Sequence, residues 1–162
     1  MTVVRLAGPA DAGEVARLIV AFRDWLGDER LTEPSVAASV ARLIVDADTE
    51  YLLGSVEEGQ APCGVCQLRY RHSVWTATPD CWLEDLYVED AGRGRGVGRA
   101  LVRSALERAR ARGAQRIELD TNEENAPAIA LYESLGFSAA SKAHGHLRGR
   151  DVFMGRRVDP PG

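Results

Sequence analysis

The stretch Cys81-Trp82-Leu83-Glu84-Asp85-Leu86-Tyr87-Val88, followed at once by Arg93-Gly94-Arg95-Gly96-Val97-Gly98, decides how the chain is read. The first segment is an apolar run with the density of a strand, and the second leads into Ala100, Leu101, Val102, Ala105, Leu106 and Ala109, spaced as one face of a helix. Glycines between a strand and a helix allow several backbone N–H groups to face one anion, and the helix dipole adds partial positive charge at the same point. Arg93, Arg95 and Arg99 reinforce it. The junction therefore reads as an anion cradle, with a solvated Gly/Arg turn as the plain alternative.

The spacing discriminates among known cradles. A Walker-type loop ends in Gly-Lys-Ser/Thr, and a dinucleotide fingerprint needs G-x-G-x-x-G; Gly92, Gly94 and Gly96 begin neither. The pattern present is Arg93-x-x-Gly96-x-Gly98 after Leu86-Tyr87-Val88. Further on, Asn125-Ala126-Pro127-Ala128-Ile129-Ala130-Leu131-Tyr132-Glu133-Ser134-Leu135-Gly136-Phe137 carries both ends of a helix. Asn125 is a capping residue, Pro127 falls in the first turn where a missing N–H costs little, and Gly136 suits the left-handed stop. Ala128, Leu131, Tyr132 and Leu135 share a face, so Tyr132 reads either as a core aromatic or as a phenol presented at a site.

Together the two motifs resemble those of the GNAT N-acetyltransferase superfamily. The resemblance implies an acetyl-CoA site in which Gly94, Arg95, Gly96, Val97, Gly98 and Arg99, with Arg93, hold the pyrophosphate. Leu86, Tyr87 and Val88 would offer main chain to the pantetheine amides as a substitute strand, with Asn125 and Ala128 completing the donor site. In that family the tyrosine at the Tyr132 position is commonly the general acid. Leu83-Glu84-Asp85-Leu86-Tyr87-Val88 also looks like the Leu-Glu-Asp-aromatic-aromatic-Val strand of spermidine/spermine and thialysine acetyltransferases, where the glutamate lies beside the substrate amine.

The implied chemistry is acetyl transfer from a thioester to an amine. A lysine-like amine has a pKa of about 10.4 and attacks only when neutral, so the site must remove a proton. Glu84 is the expected base, directly or through water, and a backbone N–H near Val88 would stabilise the oxyanion. Asp85 is expected at the substrate; adjacent strand residues point to opposite faces, so at most one of the two acids should aim at the amine. Trp25 matches an aromatic wall position of the diamine enzymes, although Leu26 stands where an acid is expected there, and Trp25 equally extends the Phe22 face of its helix. Trp75 and Trp82 are further wall candidates. The implied acceptor is a small cationic amine. Acetylation of a protein N-terminus or lysine is the neighbouring activity, and a non-catalytic acyl-CoA sensor the alternative of another class.

The rest of the chain is compatible with one such domain over residues 1–158, with 159–162 as a tail. A length of 162 residues, 45% hydrophobic and 27% charged, is one domain's worth of ordinary globular composition. No run has the length of a membrane span, and Met1 to Arg5 lacks the features of a signal peptide, so the expectation is a cytoplasmic protein. An odd count of 3 cysteines argues against a disulfide framework, and the Cys63-Gly64-Val65-Cys66 pair has no second ligand pair near it; no metal is expected. His72, His144 and His146 form no ligand pattern. Between Arg93 and Arg116 the chain carries 8 arginines against one acid, Glu107, within a net charge of −4. A nucleic-acid surface is the competing reading of that patch, but interleaved aromatics are missing and the remaining chain is acidic, so no nucleic-acid partner is expected.

The expected order runs strand 2–6, helix 11–26, helix from about 34 to 44, strands 51–56, 64–71 and 81–88, helix to about 112, strand 116–121, helix 125–135, and closing strands 137–142 and 151–157. This is an α/β domain. By resemblance it has the GNAT fold: a mixed, mostly antiparallel sheet of about seven strands, with four helices on both faces and, as in the diamine enzymes, a homodimeric assembly.

Overall fold

A computed structural model describes residues 1–139 and 154–158. A central sheet runs in the order β1 (Val3–Leu6), β2 (Thr49–Ser55), β3 (Gly64–Ser73), β4 (Thr78–Val88) and β5 (Ile117–Glu118). The first four strands are antiparallel neighbours and β5 joins β4 in parallel. Helices α1 (Ala12–Leu26) and α2 (Glu33–Leu43) cover one face, and α3 (Val97–Ala111) and α4 (Ala126–Ser134) the other.

Among the described residues the sheet therefore has five strands where about seven were expected. Residues 140–142 and 151–153 of the two closing segments lie outside the described residues, and the described portions, 137–139 and 154–157, form no strand. The 116–121 strand is also shorter than expected, spanning Ile117–Glu118. Pairing requires a neighbour at strand distance, and β5 has one only where Ile117 faces Cys81 and Glu118 faces Trp82.

Each helix ends as its sequence directs. Thr32 accepts a hydrogen bond from Ser35 N at the start of α2, and Asn125 Oδ1 accepts one from Ala128 N at the start of α4. Gly27 closes α1 at φ 71°. On the α1/α2 face Val15, Leu18, Val36 and Val40 pack on Tyr51, Leu53 and Val65. On the α3/α4 face Val97, Leu101, Val102 and Ala105 pack on Leu52, Cys66, Leu68 and Leu83.

Cys63 and Cys66 are free and buried in this same α3/α4 cluster. Residues three apart in one strand would point to opposite faces, but Cys63 precedes β3 and is not bound by strand alternation. Burial raises both thiol pKa values, which keeps them protonated. No group of three or more metal-ligating side chains occurs among the described residues.

Part of the arginine patch braces the far end of the sheet. Glu50, 8% exposed, accepts from Arg108 Nε at 3.1 Å and from the Tyr70 hydroxyl at 3.0 Å, while the Arg112 guanidinium lies 4.1 Å from the Tyr70 ring centroid. Burial pushes the Glu50 carboxyl upward, but the bonds from Arg108 and Tyr70 outweigh it and hold the pKa below its ordinary value. That stabilisation is present above the unfolded carboxylate pKa and is lost as pH falls through the lower folded value. Glu50→Gln should cost about 2 kcal/mol at pH 7. In denaturant titrations the gap from wild type should narrow progressively as the pH drops below about 4.

Candidate active site

The site lies where β4 and β5 part. Beyond Trp82 and Glu118 the two strands no longer pair, and a cleft of about 1080 Å³ opens between β4, the Arg93–Arg99 loop, the segment Asp120–Asn125 and α4. Glu89 N donates to Cys63 O on the β3 side. By strand alternation the main-chain groups of Leu86 and Val88 face the cleft.

At one end of the cleft is the anion cradle. A 3-10 turn, Asp90–Gly92, carries the chain from β4 into the loop, and Gly92 fits there because a Cβ would lie 2.6 Å from Cys63 Sγ. Gly96 sits at φ 86° and turns the chain into α3. The first backbone bond at the start of α3 is Ala100 N to Gly96 O. The N–H groups of Val97, Gly98 and Arg99 thus have no intrahelical acceptor and present the positive end of the helix.

The three loop arginines are not equivalent. Arg99 donates to Ser134 Oγ at 2.8 Å, tying α3 to α4 beside the cradle, and Arg95 is exposed. Arg93 folds back: its Nε donates to Val88 O at 2.9 Å, its Nη1 pairs with Asp90 at 2.7 Å, and its guanidinium lies 5.6 Å from the Trp25 ring and 5.8 Å from that of Tyr87. In the free protein Arg93 thus occupies the carbonyl expected to pair with pantetheine.

The other end of the cleft is acidic. β4 carries a bulge: Gln67 pairs with Asp85 and Leu68 with Leu83, which leaves Glu84 as the extra residue. Cys81 and Leu83 face the α3/α4 cluster before it, and Leu86 and Val88 face the same cluster after it. The bulge suspends the alternation that would separate neighbouring acids, so Glu84 and Asp85 both line the cleft. Glu84 is exposed and Asp85 half-buried. The Asp85 carboxyl is pushed up to about 6 by burial first, then by the charges of Glu84 and Asp120.

Tyr132 also lines the cleft. It is 8% exposed, its ring lies 5.7 Å from that of Phe137, and its phenol is pushed up to about 12 by burial, with Cys66 and Asp120 contributing. It therefore remains protonated throughout the physiological range. Trp25 is 52% exposed and lines the cleft, with Phe22 stacked between it and Tyr87 at centroid distances of 6.1 and 5.2 Å. Asn125 and Ala128 also line the cleft, whereas Trp75 and Trp82 do not.

Sequence reasoning missed Asp120, Thr121 and Asn122, which line the opposite wall. The available signal was positional, because ligands in α/β sheets gather beyond the carboxyl ends of parallel strands and this segment directly follows β5.

Comparison with known proteins agrees with the geometry. The thialysine N-epsilon-acetyltransferase of Bos taurus is 28% identical over 153 residues, covering 88% of this chain and 87% of that protein. The mycothiol acetyltransferase of Beutenbergia cavernae is 46% identical over 69 residues, 41% of this chain, and the match spans only 23% of that longer protein. A solved structure from Arthrobacter sp. FB24, assigned as an acetyltransferase, superposes with a TM-score of 0.82 at 28% identity over 96% of each chain. The sequence profile of the acetyltransferase (GNAT) family matches residues 18–137, which span the cradle, the bulge and Tyr132, and the chain belongs to that family.

Proposed function

We propose that the protein moves the acetyl group of acetyl-CoA to a primary amine of a small cationic acceptor by direct attack. The observation that carries this reading is the segregation of charge along one cleft. Unpaired helix-start amides and Arg99 lie at one end, Glu84, Asp85 and Asp120 lie at the other, and Tyr132 lines the same cleft. A diphosphate suits the first end and an ammonium the second, with the reacting thioester between. The thialysine enzyme, similar over most of both chains, supports an amine acceptor.

The pantetheine arm would lie along Leu86–Val88 and take the place of Arg93 at Val88 O. The acceptor ammonium gives up a proton to the carboxylates at the bulge, Glu84 serving through water on the solvent side. The neutral nitrogen then bonds to the thioester carbon, the C–S bond breaks, and the Tyr132 phenol protonates the departing sulfur. The nitrogen's second proton balances the one Tyr132 gives up. Trp25 and Phe22 form the apolar wall for the acceptor's carbon chain. A homodimer in the cytoplasm belongs to the same reading. The likeness to the diamine enzymes supports the first, and the free, buried cysteines suit a reducing compartment.

Acetyl-CoA at a hundredfold excess over its Kd should stabilise the fold by about 2.7 kcal/mol, raising Tm by several degrees. Absence of any shift would remove the donor assignment. Thiol release measured across thialysine, spermidine, an aminoglycoside and a peptide should single out a small amine; release with the peptide alone would transfer the reading to protein acetylation. Tyr132→Phe should lower kcat by about 10²-fold while leaving acetyl-CoA affinity within about twofold. An unchanged kcat would withdraw Tyr132 as the acid.

A further inference from the structure

The bulge brings two carboxylates into the cleft but treats them differently. Glu84, the extra residue, is exposed. Asp85 is paired across the strands with Gln67, which is 4% exposed and itself faces Tyr51, 2% exposed, on β2. Tyr51, Gln67 and Asp85 form one row across three strands on the α1/α2 face. Two residues along β4 on that face is Tyr87, which stacks on Phe22 within the Phe22–Trp25 wall. Asp85 is thus seated in a packed row and borders the wall proposed to hold the acceptor's carbon chain, whereas Glu84 meets solvent.

The charged and titratable groups around Asp85 favour a proton there. Glu84 on its own strand and Asp120 beyond β5 both oppose its ionisation. Burial first, and then the Asp85 charge, raises the pKa of the Tyr51 phenol, and burial, then Cys81 and Asp85, raise that of the Cys66 thiol, so both remain neutral neighbours. Arg69, on β3, is the nearby cation and lowers the Tyr51 phenol; among the described residues no ion pair joins it to Asp85.

We infer that Asp85 is the group that first takes the proton from the acceptor amine, and that Glu84 passes this proton to water. The inference rests on the acetyl-transfer reading and deepens it. In this sequence the ammonium N–H bond breaks as the Asp85 O–H bond forms, leaving the nitrogen lone pair free to attack the thioester carbon. The carboxylic acid then loses its proton through Glu84, which restores the carboxylate for the next turnover. An acid titrating at about 6 is matched to this work near neutral pH, because it is ionised there yet is a stronger base than an ordinary aspartate.

The test is the pH dependence of thiol release from acetyl-CoA, using whichever of thialysine, spermidine or an aminoglycoside reacts fastest. In the wild type log kcat/KM should bend near pH 6, since this quantity reports the free enzyme. Asp85→Asn should lower kcat/KM at pH 7.5 by about 10²-fold or more and abolish the bend. Glu84→Gln should lose about tenfold or less and keep the bend, moved to lower pH because a like charge has been removed. The reverse pattern, with the bend surviving in Asp85→Asn and vanishing in Glu84→Gln, would overturn the assignment.

Folding is controlled in the same set. The raised pKa means that ionised Asp85 destabilises the folded state above about pH 6 and ceases to do so below the unfolded value. Asp85→Asn should therefore match or exceed the wild-type Tm at pH 7.5 and retain its stabilisation by acetyl-CoA. If acetyl-CoA binds the wild type but no amine releases thiol, the small-amine reading falls, and the Asp85 inference falls with it. If turnover occurs with the wrong residue controlling the bend, only the inference falls.

Discussion

Parallel pairing between β4 and β5 lasts for two residues, and the functional half of the molecule is arranged around its failure. A strand that loses its neighbour leaves N–H and C=O groups unpaired on that side, an unfavourable state unless water or a ligand satisfies them. Here the free edge is Leu86 to Val88, and the protein supplies a provisional partner in Arg93. The same guanidinium lies against Trp25 and Tyr87, so the open edge, the aromatic wall and the loop before α3 share one side chain. On the proposed reading, the pantetheine arm would replace that bond with main-chain pairing.

The sheet's two faces divide the labour. The α3/α4 face supplies the cradle and Tyr132, because α3 starts at the loop and α4 runs beside it, joined by Arg99 and Ser134. The α1/α2 face supplies Trp25 and Phe22, and through the bulge it also supplies Asp85. Without the bulge, Asp85 would keep the parity of Leu83 and point into the α3/α4 cluster, where a carboxylate has no partner and would be costly. One extra residue in β4 thus turns an untenable core acid into one that borders a cleft.

What could be read from the sequence was whatever local chemistry fixes. Asn125 caps α4, Gly27 ends α1 and the glycines open α3, because each of these features depends on residues a few positions apart. The donor motif was legible for the same reason. The bulge was not, since it is a mismatch between β3 and β4 and leaves no mark in either strand alone. Strict alternation therefore separated Glu84 from Asp85, and the structure reunites them. Asp120 escaped notice because its place in the cleft comes from facing β4 across a gap, and β5 is shorter than expected because a strand-like pattern does not reveal where a neighbouring strand departs.

Two acids in the same sheet have opposite electrostatic surroundings. Glu50 and Asp85 are both held away from bulk water, on β2 and β4 respectively. Glu50 is surrounded by Arg108, Arg112 and the Tyr70 hydroxyl, which hold its pKa down and make its charge a stabilising part of the fold. Asp85 is surrounded by Glu84 and Asp120, which add to the cost of its burial. The chain has arginines in abundance and places two of them on Glu50 while none forms an ion pair with Asp85 among the described residues. An acid left in unfavourable company lowers stability at neutral pH, and that cost is offset only when a cation arrives from outside. On the proposed reading that cation is the acceptor ammonium, whose proton Asp85 is placed to take.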